Sequence, residues 1–174
     1  ASPQRHVYIN NGDDTGWTEA TTYATTSMPY FVTAAGNDNG VRIADVNGDG
    51  LADLFHSHNG IPVKKIYINN GDETGWTEDA NYDLSNLPYF LDGSSNDDGV
   101  RMLDISGDGL PDIIRKRQFA DNSYVFINNG NGTGWTKATS STATTTIPDF
   151  TSQNGYDEGV QFADINGDGL VDVI

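Results

Sequence analysis

The chain repeats itself three times with a period of about 59 residues. The stretch Val7-Tyr-Ile-Asn-Asn-Gly-Asp-Asp-Thr-Gly-Trp17 returns as Ile66-Tyr-Ile-Asn-Asn-Gly-Asp-Glu-Thr-Gly-Trp76 and as Val125-Phe-Ile-Asn-Asn-Gly-Asn-Gly-Thr-Gly-Trp135, 59 residues later each time. A nine-residue stretch, Asp45-Val-Asn-Gly-Asp-Gly-Leu-Ala-Asp53, returns as Asp104-Ile-Ser-Gly-Asp-Gly-Leu-Pro-Asp112 and as Asp164-Ile-Asn-Gly-Asp-Gly-Leu-Val-Asp172, after 59 and then 60 residues. Self-similarity of this period marks a propeller, a solenoid or an array, in which each unit buries its apolar face against its neighbours. It overrides the single domain that 174 residues would otherwise suggest. The units are residues 1–59, 60–118 and 119–174.

Each unit reads as short strands. Val41 to Val46 alternates apolar and polar residues into the nine-residue loop, and Leu51 to His58 leaves it, so the loop joins two antiparallel strands. Lys64 to Asn69 makes a third strand closed by Asn-Gly turn chemistry, and the segment from Gly75 to Thr77 begins a fourth. No stretch carries a helical period. The expected fold is all-β: three tandem four-stranded propeller-type blades, part of a larger propeller or of an open repeat array. Closed propellers have about four to eight blades, so three do not close alone. Ala1 aligns with Phe119 and Ile174 with Ile114, so the chain is cut nearly in phase with its repeat, as a piece of a longer array would be. Copies of the chain, or further repeats, are the expected partners.

The nine-residue loop suits a hard cation. Oxygen-bearing side chains stand at positions 1, 3, 5 and 9: Asp45, Asn47, Asp49 and Asp53; Asp104, Ser106, Asp108 and Asp112; Asp164, Asn166, Asp168 and Asp172. The glycine at position 6 permits a sharp turn, and the carbonyl of position 7 (Leu51, Leu110, Leu170) supplies a further oxygen. Ca²⁺ takes about six to eight oxygens at roughly 2.3–2.6 Å. Without a cation, so many acidic oxygens would mostly repel one another. An EF-hand fits poorly, because its bidentate Glu at position 12 is replaced by His56 or Arg115, or falls beyond Ile174. Three calcium sites are expected, the second weakened by Ser106.

Charge narrows the function classes. Nine basic against 25 acidic residues give a net charge of −16, which argues against nucleic acid and anionic membranes as partners. No apolar run approaches the ~20 residues of a membrane span. Cysteine is absent, and there is no Gly-x-Ser-x-Gly motif or phosphate loop. With the clustered carboxylates accounted for by calcium, no enzymatic activity is expected. A loop set stabilised by millimolar calcium points to an extracellular or cell-surface location.

Repetition also sorts the remaining residues, since features present in every unit read as scaffold. Trp17, Trp76 and Trp135 recur and read as blade packing in preference to sugar stacking. Asp38, Asp97 and Asp157, each before a Gly-Val pair, read as turns in preference to cation ligands. Among unique features, His56 and His58 share a strand face and read as solvent-facing in preference to a transition-metal pair. Arg115-Lys116-Arg117 reads as a solvated turn, with neighbouring carboxylates or an acidic glycan as alternatives. Asn131-Gly132-Thr133 is an N-glycosylation sequon in an exposed turn. The Thr/Ser-rich run from Lys137 to Ile147 reads as a Thr-rich edge strand in preference to an O-glycosylated segment.

The Asp-x-Asn-Gly-Asp-Gly-x-x-Asp loop followed by a Tyr-Ile-Asn-Asn-Gly strand end resembles the FG-GAP/VCBS repeat family over nearly the whole chain. Repeats of that family form blades of calcium-binding propellers in integrin α subunits, some fungal lectins, bacterial surface proteins and toxin subunits. The resemblance implies cation ligands at the three loops and extracellular adhesion or recognition, without one shared ligand site. The expected function is a non-enzymatic, calcium-stabilised extracellular assembly, structural or adhesive, such as a filament. The alternative is a closed propeller lectin or recognition module that binds carbohydrate or a surface protein.

Overall fold

A computed structural model describes residues 5–23, 27–119, 123–139 and 146–174. Its strands are β1 (Tyr8–Asn10), β2 (Trp17–Glu19), β3 (Val41–Ala44), β4 (Asp53–His58), β5 (Val63–Asn69), β6 (Trp76–Asp79), β7 (Val100–Leu103), β8 (Asp112–Arg115), β9 (Tyr124–Asn128), β10 (Trp135–Lys137), β11 (Phe162–Ala163) and β12 (Asp172–Val173). All pair antiparallel with their sequence neighbours in two four-stranded sheets, β3-β4-β5-β6 and β7-β8-β9-β10, and two two-stranded ones, β1-β2 and β11-β12. The fold is all-β and propeller-like. Among the described residues no helix is long and apolar enough to cross a membrane.

Three four-stranded blades were expected, and two complete four-stranded sheets are found among the described residues. The difference is one of phase. Each sheet starts at the strand entering a nine-residue loop and ends at the strand opened by the next tryptophan, so it straddles units counted from residue 1. The register repeats with the period: Leu54 faces Tyr67 across β4 and β5, as Ile113 faces Phe126 across β8 and β9.

The core lies between successive sheets. Val46, Phe55 and Ile66 of the first blade meet Leu87 and Phe90 of the connecting segment, and Val100, Ile113, Phe126 and Trp135 of the second. Phe55 packs edge-on against Phe90 (ring centroids 4.9 Å apart) and stacks on Trp135 (5.8 Å). Such aromatic contacts add to what area burial alone contributes. A second cluster joins Ile114, Val125 and Phe150, with Phe162 packed against it.

The connecting segments are stitched to the preceding blade. Leu91 forms a parallel bridge to His58, and Thr151 does the same to Arg117. Where the β7-β8 pairing continues past Val100 and Arg115, backbone comes so close at Gly99 (φ +72°) that a Cβ there would lie 2.4 Å from Lys116 O, while Lys116 N–H donates to Gly99 O (2.9 Å). Only glycine combines that positive φ with that approach.

Two expectations are corrected by this packing. His56 and His58 are buried, because every residue of the inner strand β4 is covered. Arg115, Lys116 and Arg117 are no solvated turn. Arg115 Nε and Nη2 donate to Asp98 (2.9 Å each), Arg117 donates to Asp98 (2.6 Å) and Asp92 (3.1 Å), and Lys116 pairs with Asp149 (3.5 Å). These are the neighbouring carboxylates, held on the connecting segments. The Thr/Ser-rich run at Lys137 to Ile147 lies largely outside the described residues.

Burial pushes the His56 imidazole down, opposed by a backbone hydrogen bond at Asn39 and reinforced by the charges of His58 and Lys65. The folded chain therefore binds fewer protons at His56 than the unfolded chain does. That stability is present above the unfolded value of about 6.5 and is lost as pH falls through it toward the folded value. Urea midpoints should drop between about pH 7 and 5, and drop less in His56→Gln. Parallel pH profiles for the two chains would take His56 out of this account.

Candidate functional site

The nine-residue loops are built from their own carboxylates. Asp45 at position 1 gathers the loop amides: Oδ1 accepts from Gly48 N–H (2.7 Å) and Asp49 N–H (3.2 Å), and Oδ2 from Gly50 N–H (2.8 Å). Asp104 and Asp164 repeat the pattern. Asp49, Asp108 and Asp168 at position 5 each accept the amide of the leucine two residues on. Asn47 and Asn166 bridge to that position-5 carboxylate, at 2.9 and 3.0 Å. Amide donation holds the Asp164 carboxyl below the usual carboxylate range, chiefly through Gly169 and Gly167.

The ninth-position aspartates do something the spacing alone did not reveal. Asp53 and Asp112 are fully buried. Asp53 accepts Val46 N–H (3.0 Å) and Asn69 N–H (2.8 Å), and Asp112 accepts Ile105 N–H (3.0 Å), Ser106 N–H (2.9 Å) and Asn128 N–H (2.8 Å). Each therefore ties its loop to the third strand of its own blade. Burial pushes the Asp53 carboxyl up, against the amide bonds that lower it.

Among the described residues no three His, Cys, Asp or Glu side chains converge as a metal site. The donor set nevertheless fits a hard cation chemically, since positions 1, 3, 5 and 9 offer only oxygen acceptors beside the amide groups of Asn47 and Asn166. Asp38, Asp97 and Asp157 are turn residues: each accepts the amide two residues on, at Gly40, Gly99 and Gly159, and the first two also pair with Arg42 and Arg101. Asn131 does in its turn what Asp13 and Asp72 do in theirs, accepting from the threonine two residues later.

Trp76 and Trp135 donate Nε1–H to the carbonyls of Ala52 and Pro111, 2.8 Å each, so the tryptophan locks the loop end to the outer strand. Trp17 is 67% exposed, against 8% for Trp135. A groove of about 430 Å³ opens beside the second blade, lined by Asn86, Tyr124, Phe126, Trp135, Thr136 and Lys137. Lys137 Nζ sits 3.6 Å from the Tyr124 ring centroid. In the first blade the period puts Lys65 and Glu78 at the Tyr124 and Lys137 positions, where they form an ion pair (2.8 Å), so this lining belongs to the second blade only. Sequence repetition held that signal, because Tyr124 and Lys137 depart from the pattern.

The FG-GAP-like repeat family matches residues 118–174. No curated protein matches the chain. Among solved structures, a lectin of Agrocybe aegerita, described for specific recognition of non-reducing terminal N-acetylglucosamine, is similar over 99% of this chain, with a TM-score of 0.59 at 21% identity. The chain spans 41% of that protein's length. At that identity the likeness establishes the fold. The chain thus carries an FG-GAP-like repeat at residues 118–174 on an all-β, propeller-like fold.

Proposed function

We propose that this chain is a non-enzymatic, extracellular recognition module of propeller type, with calcium held in its nine-residue loops and carbohydrate as its ligand. The observation that carries the ligand class is the groove unique to the second blade. Its volume is within the usual range for small-ligand sites, and its lining brings Tyr124 together with the amide, hydroxyl and amine of Asn86, Thr136 and Lys137. The fold likeness to a lectin makes terminal N-acetylglucosamine the first probe. A glycan array should show binding that weakens at least tenfold in Asn86→Ala/Lys137→Ala, a loss of about 1.4 kcal/mol. No bound glycan, or equal binding by the variant, would sink the assignment.

Calcium is supported by three oxygen-only loops in a chain of net charge −16. Asp45, Asp49 and Asp53, with Asn47 and the Leu51 carbonyl, would hold it in the first loop. Asp104, Ser106, Asp108, Leu110 and Asp112 would do so in the second, and Asp164, Asn166, Asp168, Leu170 and Asp172 in the third. The ion would supply positive charge to oxygens that otherwise repel. For a Kd of ~0.1 mM in ~1 mM calcium, mass action stabilises by roughly 1.4 kcal/mol per site, about 4 for three. Chelation should therefore lower Tm by about 10 °C. The triple variant Asp49→Ala, Asp108→Ala, Asp168→Ala should no longer respond. Melting curves of the parent chain that coincide with and without chelator would refute calcium binding.

A further inference from the structure

The groove beside the second blade holds a positive charge that no carboxylate meets among the described residues. Acidic residues outnumber basic ones by 25 to nine in this chain, and most basic side chains find an acidic partner. Arg42, Lys65, Arg101, Arg115, Lys116 and Arg117 each pair with a carboxylate. Lys137 does not. Its ammonium lies over the Tyr124 ring, 3.6 Å from the centroid.

The repeat shows what is missing. One period earlier, Lys65 and Glu78 hold the two positions and close an ion pair of 2.8 Å between β5 and β6. In the second blade the acidic position has become Lys137 and the basic one Tyr124. An ammonium remains, and the carboxylate is gone.

We infer that the groove takes a saccharide bearing an anionic group, a carboxylate or a sulfate ester, which pairs with Lys137 Nζ. The inference rests on the carbohydrate reading of this groove and names the class of sugar selected there.

The ammonium is placed in advance. Attraction to the face of Tyr124 holds it over the ring, so less freedom is lost when an anion arrives. The other lining groups suit the rest of a sugar. Thr136 donates its hydroxyl proton to Asn129 Oδ1 (2.7 Å), which leaves its oxygen to accept from a sugar hydroxyl. The Asn86 side chain offers both a donor and an acceptor. Asn86 stands between Leu84 and Leu87, whose carbonyls accept from Lys64 Nζ. Lys64 has no carboxylate partner among the described residues either, so it adds a second positive charge to the segment that brings Asn86. Asp83, on the same segment, is engaged in its own turn, where it accepts the amide (3.0 Å) and the hydroxyl (2.6 Å) of Ser85.

The net charge of −16 does not forbid such a ligand. At physiological salt, exposed charges more than about 8 Å apart are largely screened. An extended polyanion would have to lie across the acidic surface, whereas one anionic group in the groove meets chiefly the lysine beside it.

Titration calorimetry with methyl β-glucuronide, glucose 6-sulfate and methyl β-glucoside separates the cases. At least one anionic sugar should bind about fivefold or more tighter than the neutral glucoside at low salt, and which one does so tells carboxylate from sulfate. The advantage should shrink as salt rises to ~0.5 M. It should vanish in Lys137→Gln, with circular dichroism unchanged because Lys137 is exposed. Tyr124→Lys/Lys137→Glu, which copies the ion pair of the first blade, should lose it as well. Equal affinity of the parent chain for all three sugars, or an advantage that survives in Lys137→Gln, overturns the inference and leaves the carbohydrate reading standing. A parent chain that binds none of the three, nor N-acetylglucosamine, sinks both.

Discussion

Phe55→Ala is expected to lose about 3–5 kcal/mol of stability, read as a lower urea midpoint. Phe55 is fully buried, and its ring fills the centre of the contact between blades, touching Phe90 from the connecting segment and Trp135 from the next sheet. Truncation removes the transfer free energy of the ring and leaves a cavity that two hydrogen-bonded sheets cannot collapse into. The loss should couple to Phe90: the double variant Phe55→Ala/Phe90→Ala should cost less than the two single losses together, because they share one contact. Ile61→Ala, at an exposed turn position, should stay within about 0.5 kcal/mol of the parent. Equal midpoints for Phe55→Ala and Ile61→Ala would mean that the blades do not pack through this ring.

Asp112→Ala should be nearly as costly, at about 3–5 kcal/mol, and the loss should persist in chelator. One carboxylate with no exposed surface satisfies three amides, those of Ile105, Ser106 and Asn128. An orphaned buried donor costs about 1–3 kcal/mol, and three around one site do not add fully. Asp112→Asn keeps an acceptor for Asn128 but turns a donor toward the other two amides, so about half the loss is expected. The chelator separates two roles. If Asp112 acted only as a cation ligand, its replacement would be silent once calcium is gone.

Much of this protein is written locally. The strands and the turns between them follow from period-two alternation and from Asn-Gly and Asp-Gly chemistry, both of which act over a few residues. The nine-residue loops were legible for the same reason: the spacing of their oxygens is a property of nine consecutive residues. The buried role of Asp53 and Asp112 was less so, because their partners Asn69 and Asn128 lie sixteen residues on, across a strand pairing.

What only the tertiary structure decided is which strands share a sheet and which side chains are covered. His56 and His58 look like surface residues in a polar stretch, yet β4 is an inner strand covered by the connecting segment. Arg115 and Arg117 look solvated, yet the same packing brings Asp92 and Asp98 to them. Trp17, Trp76 and Trp135 occupy one position of the repeat, and their exposure runs from 67% to 8%. Local pattern sets the conformation of a segment, and it is the same in every copy. Burial depends on what lies against that segment, and a repeat does not give each of its copies the same neighbours.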